Sequence, residues 1–155
     1  MHGRIGETAG AEGRLRSRVA PGLFVGSKPA PGRYPAFDVI VLAALEYQPA
    51  GALFPDVEVI HVPLDDDPRR PMREDEIAAA VQAGRKIARR LRAGRRVLAT
   101  CAMGLNRSAL VAALAMREVY GMSADETIGR IRRARGPWAL SNPNFELLLR
   151  IAIAG

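Results

Sequence analysis

Cysteine is all but missing from this sequence. Cys101 stands alone among 155 residues, so no disulfide can form within the chain, and a zinc site built on thiolates is nearly ruled out. Its thiol is either buried filler or chemistry. Long apolar runs are missing as well. No stretch nears the roughly 18 residues that cross a bilayer, and Met1 to Gly10 lack the apolar core of a secretory leader, which predicts a cytoplasmic protein with no membrane partner. Lysine is scarce: Lys28 and Lys86 are the only two, so nearly all the positive charge is arginine. His2 and His61 have no metal-ligand partners nearby in sequence and receive no role, and no internal repeat occurs.

What is present suits one globular domain. Hydrophobic residues make up 48% and charged residues 25%, a balance that excludes global disorder. Basic residues outnumber acidic ones 23 to 16, giving a net charge of +7 that favours an anionic partner without choosing among nucleic acid, lipid and phosphate.

Residues 1 to 17 carry Gly3, Gly6, Gly10 and Gly13 among polar groups with no apolar period, and are expected to be a flexible tail. Residues 18–155 are expected to form a single domain. Leu23 to Val25 reads as a short strand, Phe37 to Leu42 as a strand buried on both faces, and Val57 to Val62 as a third. From Pro63 to Pro71, three prolines and three acids predict a surface loop. Glu74, Asp75 and Glu76 then open a helix to about Ala93, with Ile77, Val81, Ile87 or Ala88, and Leu91 on its apolar face and Gly94 as its stop. Arg96 to Thr100 reads as a strand and Ser108 to Tyr120 as a helix. Ser123 with Glu126 forms a capping box for a helix through Ala134, and Ser141 or Asn142 caps the last helix. This order predicts an α/β fold, a central mostly parallel sheet flanked by helices.

Cys101-Ala-Met-Gly-Leu-Asn-Arg107 lies where a strand gives way to a helix. The unpaired amides and positive dipole end of that helix favour a thiolate at Cys101. Gly104 lets the backbone curl so that the amides of Ala102, Met103, Gly104, Leu105 and Asn106 form a concave phosphate site. Five residues separate Cys101 from Arg107, so the planar guanidinium can hold the same tetrahedral anion through two parallel hydrogen bonds. Ser108 stands beside the sulfur as a hydroxyl donor.

This loop with Ser108 resembles the Cys-x5-Arg-Ser pattern of cysteine-dependent protein phosphatases, specifically the small dual-specificity branch. Val19-Ala-Pro-Gly-Leu-Phe-Val-Gly-Ser27 is similar to that family's opening strands, Val62-Pro-Leu-Asp-Asp66 to its general-acid loop, and Asn142-Pro-Asn-Phe145 to the start of its last helix. The resemblance implies the dual-specificity fold and a metal-independent, cofactor-free phosphomonoesterase. Cys101 would attack phosphorus to form a phosphocysteine and an aspartic acid would protonate the leaving oxygen. The family's spacing puts that acid three residues after the loop proline, at Asp66, with Asp65 and Asp67 as alternatives. One position departs from the pattern: Thr100 stands where the family usually has His, and its hydroxyl is expected to hydrogen-bond the loop backbone.

The expected substrate is a phosphorylated protein, at tyrosine and, through a shallow pocket, at serine or threonine. The loop lacks the lysines that inositol-lipid phosphatases of the family tend to carry. An RNA 5′-phosphatase is an alternative, since related RNA phosphatases end this loop with Asn-Arg, as Asn106-Arg107 does here. A phosphoprotein-binding module with weak catalysis is another, because of Thr100. The clusters Arg89-Arg90, Arg95-Arg96 and Arg132-Arg133-Arg135 are expected to be solvated faces, and Trp138 a loop anchor in the core.

Overall fold

The computed structural model describes residues 15–152. Five strands, β1 (Arg16–Ala20), β2 (Leu23–Gly26), β3 (Val39–Ala44), β4 (Glu58–Leu64) and β5 (Val97–Thr100), form one sheet in the order β1-β2-β5-β3-β4. β1 is antiparallel to β2, and every other neighbouring pair is parallel. Four helices follow: α1 (Glu74–Arg92), α2 (Arg107–Tyr120), α3 (Ala124–Arg135) and α4 (Pro143–Ile151). The expected α/β class with a mostly parallel sheet is what the chain adopts.

The continuous β-branched run in β3 has a simple cause: the strand lies inside the sheet with both faces covered, and all six of its residues are buried. One face, carrying Val39 and Val41, meets residues of all four helices in the larger core. The other carries Ile40, Leu42 and Leu98 and is covered by Phe37 and Phe54 from connecting segments.

Several boundaries differ from expectation. Arg16 and Ser17, assigned to the tail, begin β1; the rest of that segment up to residue 14 lies outside the described residues. β4 continues through Pro63 to Leu64 instead of ending at Val62. It is an edge strand, where a proline's missing N–H costs no ladder bond. The buried face of α1 is formed by Ala80, Ala83, Gly84, Ile87 and Ala88, whereas Ile77, Val81 and Leu91 are only half-buried. Small residues win because α1 packs very closely on α2: a Cβ on Gly84 would lie 2.7 Å from Leu114 Cβ.

The parallel strands place their carboxyl ends along one rim, where open α/β sheets bind ligands. β5 ends on that rim at Thr100, α2 starts seven residues later at Arg107, and β4 delivers its acidic loop beside them.

Candidate active site

Cys101 follows β5 and is buried, with its Sγ 3.1 Å from Ser108 Oγ in the first turn of α2. Its own N–H donates to Gly26 O of β2 at 3.2 Å, which fixes the residue to the sheet.

Of the next five carbonyls, four are held by donors from elsewhere in the fold and the last by the first turn of α2. Ala102 O accepts from Lys28 N, Leu105 O from Leu140 N, and Asn106 O from Leu110 N. Met103 O and Gly104 O accept from the Arg135 guanidinium at 3.1 and 3.0 Å. In a trans peptide the N–H points opposite to the C=O of the same unit. Anchoring these carbonyls therefore turns the following amides to the other side of the loop. The N–H groups of Ala102 through Asn106 have no acceptor among the described residues. Such a row of unpaired donors can receive an anion. Gly104 permits it, with φ at +70° and no room for a side chain: an added Cβ would lie 2.6 Å from Gly26 C and 2.7 Å from Arg135 Nη2.

Arg107 begins α2 at the end of this loop. Its Nη1 donates to Glu46 Oε1 at 2.6 Å and Leu64 O at 3.0 Å, and its Nη2 to Glu46 Oε2 at 2.8 Å. A guanidinium has five N–H donors, so three are spent. The two left are Nε–H, buried without a partner among the described residues, and one on Nη2. These lie side by side on one edge of the plane, the fork that matches two oxygens of a phosphate. The Arg107 hydrogen bonds, against the opposing effect of burial, hold the Glu46 carboxyl down from its ordinary 4.5 to about 2, with Lys28 adding to the effect. Burial works against the charged Arg107 guanidinium. The Glu46 hydrogen bonds and the Cys101, Glu46 and Asp66 charges more than offset it, so its pKa lies above the ordinary value.

The three loop acids go separate ways. Asp65 pairs with Arg70 at 3.0 Å, and Asp67 with Arg69 at 3.0 Å while also accepting from Arg69 N. Asp66 alone reaches the cysteine loop: Oδ2 accepts from Asn106 Nδ2 at 3.1 Å and Oδ1 from Asn142 Nδ2 at 2.7 Å. Asn106 Oδ1 in turn accepts from the backbone N–H of Asn142 at 3.1 Å, closing a ring of three residues. Of the two candidate caps for α4, Asn142 is the one used, through Oδ1 to Asn144 N.

Some expectations fail. The Thr100 hydroxyl donates to Val41 O of β3 at 2.7 Å, not to the loop backbone, because the strand end turns it into the sheet interior. Arg135 is not solvated: it is fully buried, bonded to the loop carbonyls and to Ser17 Oγ of β1. Arg132 is half-buried and donates to Ala139 O and Leu140 O. Trp138 is 66% exposed and anchors nothing in the core. Glu46, Asn142's grip on Asp66 and Arg135 were not read from the sequence as site residues. The one signal for Glu46 is a carboxylate placed two residues after the end of the buried strand β3.

Among the described residues no group of three His, Cys, Asp or Glu side chains could share a metal ion, and no helix is long and apolar enough to cross a membrane. No family model matches the chain, and no curated protein does. Solved structures do. Human DUSP28 is 30% identical over 88% of this chain and 90% of its own, with a TM-score of 0.73. A mouse putative dual specificity phosphatase, crystallised as a complex with zinc tungstate, is 27% identical over 88% of this chain and 84% of its own, with a TM-score of 0.72. Tk-PTP, in its active form, shares the fold at 22% identity over 88% and 94% of the two chains, with a TM-score of 0.72. A cysteine at the carboxyl rim of the sheet, beneath a row of unpaired amides and an arginine edge, is thus set in a scaffold shared with a 30% identical relative over most of both chains, and the chain belongs to the dual-specificity phosphatases, a family of cysteine-dependent phosphomonoesterases.

Proposed function

We propose that the protein hydrolyses phosphotyrosine in proteins, and phosphoserine and phosphothreonine where its short loops leave the pocket shallow, through a phosphocysteine intermediate. The observation that carries this reading is the combination at one loop: carbonyls held from the fold and by α2, the amides between them without acceptors, and Arg107 at the loop's end with two donors unspent. That is a receptor for the spread equatorial charge of a phosphoryl group in flight.

In the first step Cys101 Sγ, as thiolate, forms a bond to phosphorus while the bond from phosphorus to the ester oxygen breaks. Protonated Asp66 gives its proton to the departing oxygen. Asn106 and Asn142 hold the Asp66 carboxyl over the loop for this transfer. In the second step a water oxygen attacks phosphorus, its proton passes to the Asp66 carboxylate, and the sulfur-phosphorus bond breaks. Inorganic phosphate departs, and Ser108 Oγ, 3.1 Å away, is placed to donate to the returning thiolate. Ala102 to Asn106 and Arg107 hold the nonbridging oxygens throughout.

The test is hydrolysis of an aryl phosphate and of phosphopeptides by the wild type, Cys101→Ser and Asp66→Asn. Cys101→Ser should be inactive. Asp66→Asn should lose roughly 10²- to 10⁴-fold in kcat on esters with poor leaving groups. Tungstate, a phosphate-shaped oxyanion, should compete with substrate. A wild type no faster than Cys101→Ser would end the proposal.

A further inference from the structure

Ion pairing occupies most of the acids of this basic fold, from Arg33 with Asp56 at one edge to Arg150 with Asp125 at another. Several exposed arginines, Arg16, Arg89 and Arg95 among them, also lack an acid partner, but three are gathered at one place. Arg18 on β1 and Arg130 and Arg133 on α3 are exposed and make no ion pair or side-chain hydrogen bond among the described residues. They converge on one open groove of about 490 Å³ whose floor is Val19, Pro21 and Ala134. No acid lines it. Arg130 and Arg133 are three apart on their helix and so are neighbours on its surface, where like charges repel. Three guanidiniums left together without a counter-charge raise the local positive potential, and an anionic ligand relieves it.

The groove runs beside the outer edge of the sheet. β1 is the end strand, and no other strand pairs with its outer side among the described residues. An extended segment can lie along such an edge and use its backbone groups. The lining also has no aromatic ring, and single-stranded nucleic acid binding relies on stacking platforms as well as cations.

We propose that this groove binds an extended Asp- and Glu-rich segment of the protein substrate. Its carboxylates would meet Arg18, Arg130 and Arg133, and its apolar side chains the Val19, Pro21 and Ala134 floor. The inference rests on the reading of this chain as a phosphatase of proteins. The groove is a docking site and takes no part in the bond-breaking steps.

Fluorescence anisotropy of the full chain with a labelled Glu-rich peptide tests it without calling on catalysis. The comparison ligands are the same peptide with Gln at every Glu and a single-stranded RNA of similar length. The Glu-rich peptide should bind, the Gln peptide should not, and Arg18→Ala/Arg130→Ala/Arg133→Ala should weaken binding about tenfold. Arg89→Ala/Arg95→Ala, which removes two exposed charges elsewhere, should change it less than about twofold. No binding by the wild type, or an equal loss in the Arg89 and Arg95 variant, would overturn the proposal. So would tighter RNA binding that the triple variant abolishes, which would make the groove a nucleic-acid site. Placing the acidic segment beside a phosphotyrosine should lower KM with kcat unchanged in the wild type and not in the triple variant. Aryl phosphate turnover should be the same in both. A chain that hydrolyses no phosphopeptide would sink the proposed function, while the anisotropy would still decide the groove.

Discussion

Arg107 divides one flat group: it spends three donors on Glu46 and the Leu64 carbonyl and leaves two without a partner among the described residues. A lysine has a point charge and cannot divide its donors this way. Arg107→Lys should therefore lower kcat/KM on an aryl phosphate about 10²- to 10³-fold, the loss typical of removing an oxyanion donor. Unchanged turnover would show that the free edge is idle. Arg135 works from below. Arg135→Met would leave the Met103 and Gly104 carbonyls without their buried donor, and should cost about 2–4 kcal/mol in urea unfolding. The same variant should lose activity even at temperatures where it is fully folded, since the amides are held in place through those carbonyls. The sequence made Cys101, Arg107, Ser108 and the loop visible because nucleophile and binder lie within one short segment. It pointed to Asp66 only through the family's spacing, with Asp65 and Asp67 as alternatives, since the partners that distinguish the three lie some 40 and 76 residues away. Arg135 was hidden for the same reason: an arginine near the end of a basic helix looks solvated until the loop it lies under is known.

At the scale of elements, the acid loop is fastened to the start of α1. Buried Glu76 accepts from Arg70 Nη1 at 2.9 Å and Nη2 at 3.2 Å and from Arg73 N at 2.9 Å, while the same Arg70 holds Asp65. The Arg70 hydrogen bonds, against the opposing effect of burial, bring the Glu76 carboxyl down from its ordinary 4.5 to about 2. The folded state thus binds fewer protons at Glu76 than the unfolded state between those values. The resulting stability is complete above about pH 4.5 and is lost as pH falls through about 2. Glu76→Gln should be less stable at pH 7 by about 1–3 kcal/mol, and its Tm should fall less steeply than that of the wild type between pH 5 and pH 2. Parallel Tm curves would contradict the assignment. Glu74, Asp75 and Glu76 were readable as a helix start from charge alone, but not that Glu76 turns inward to brace the loop. The strand cores and the capping box of α3 were legible because they are local patterns. The extent of β4 and the small-residue face of α1 were not, since one depends on a position at the sheet edge and the other on the close approach of α2.

For the molecule as a whole, a single arrangement places the cysteine. The sheet holds one cysteine at its rim, and four of its five strands run parallel, so that β5 aims that residue at the start of α2. Everything proposed about catalysis requires phosphorus to pass through that sulfur. The most direct measurement is mass spectrometry of the enzyme acid-quenched within one turnover of an aryl phosphate. A phosphoryl group should appear on the peptide containing Cys101 during the burst and disappear as substrate is exhausted. Substrate turnover by the wild type with no phosphoryl group on Cys101, or with the label on another residue, would contradict the account.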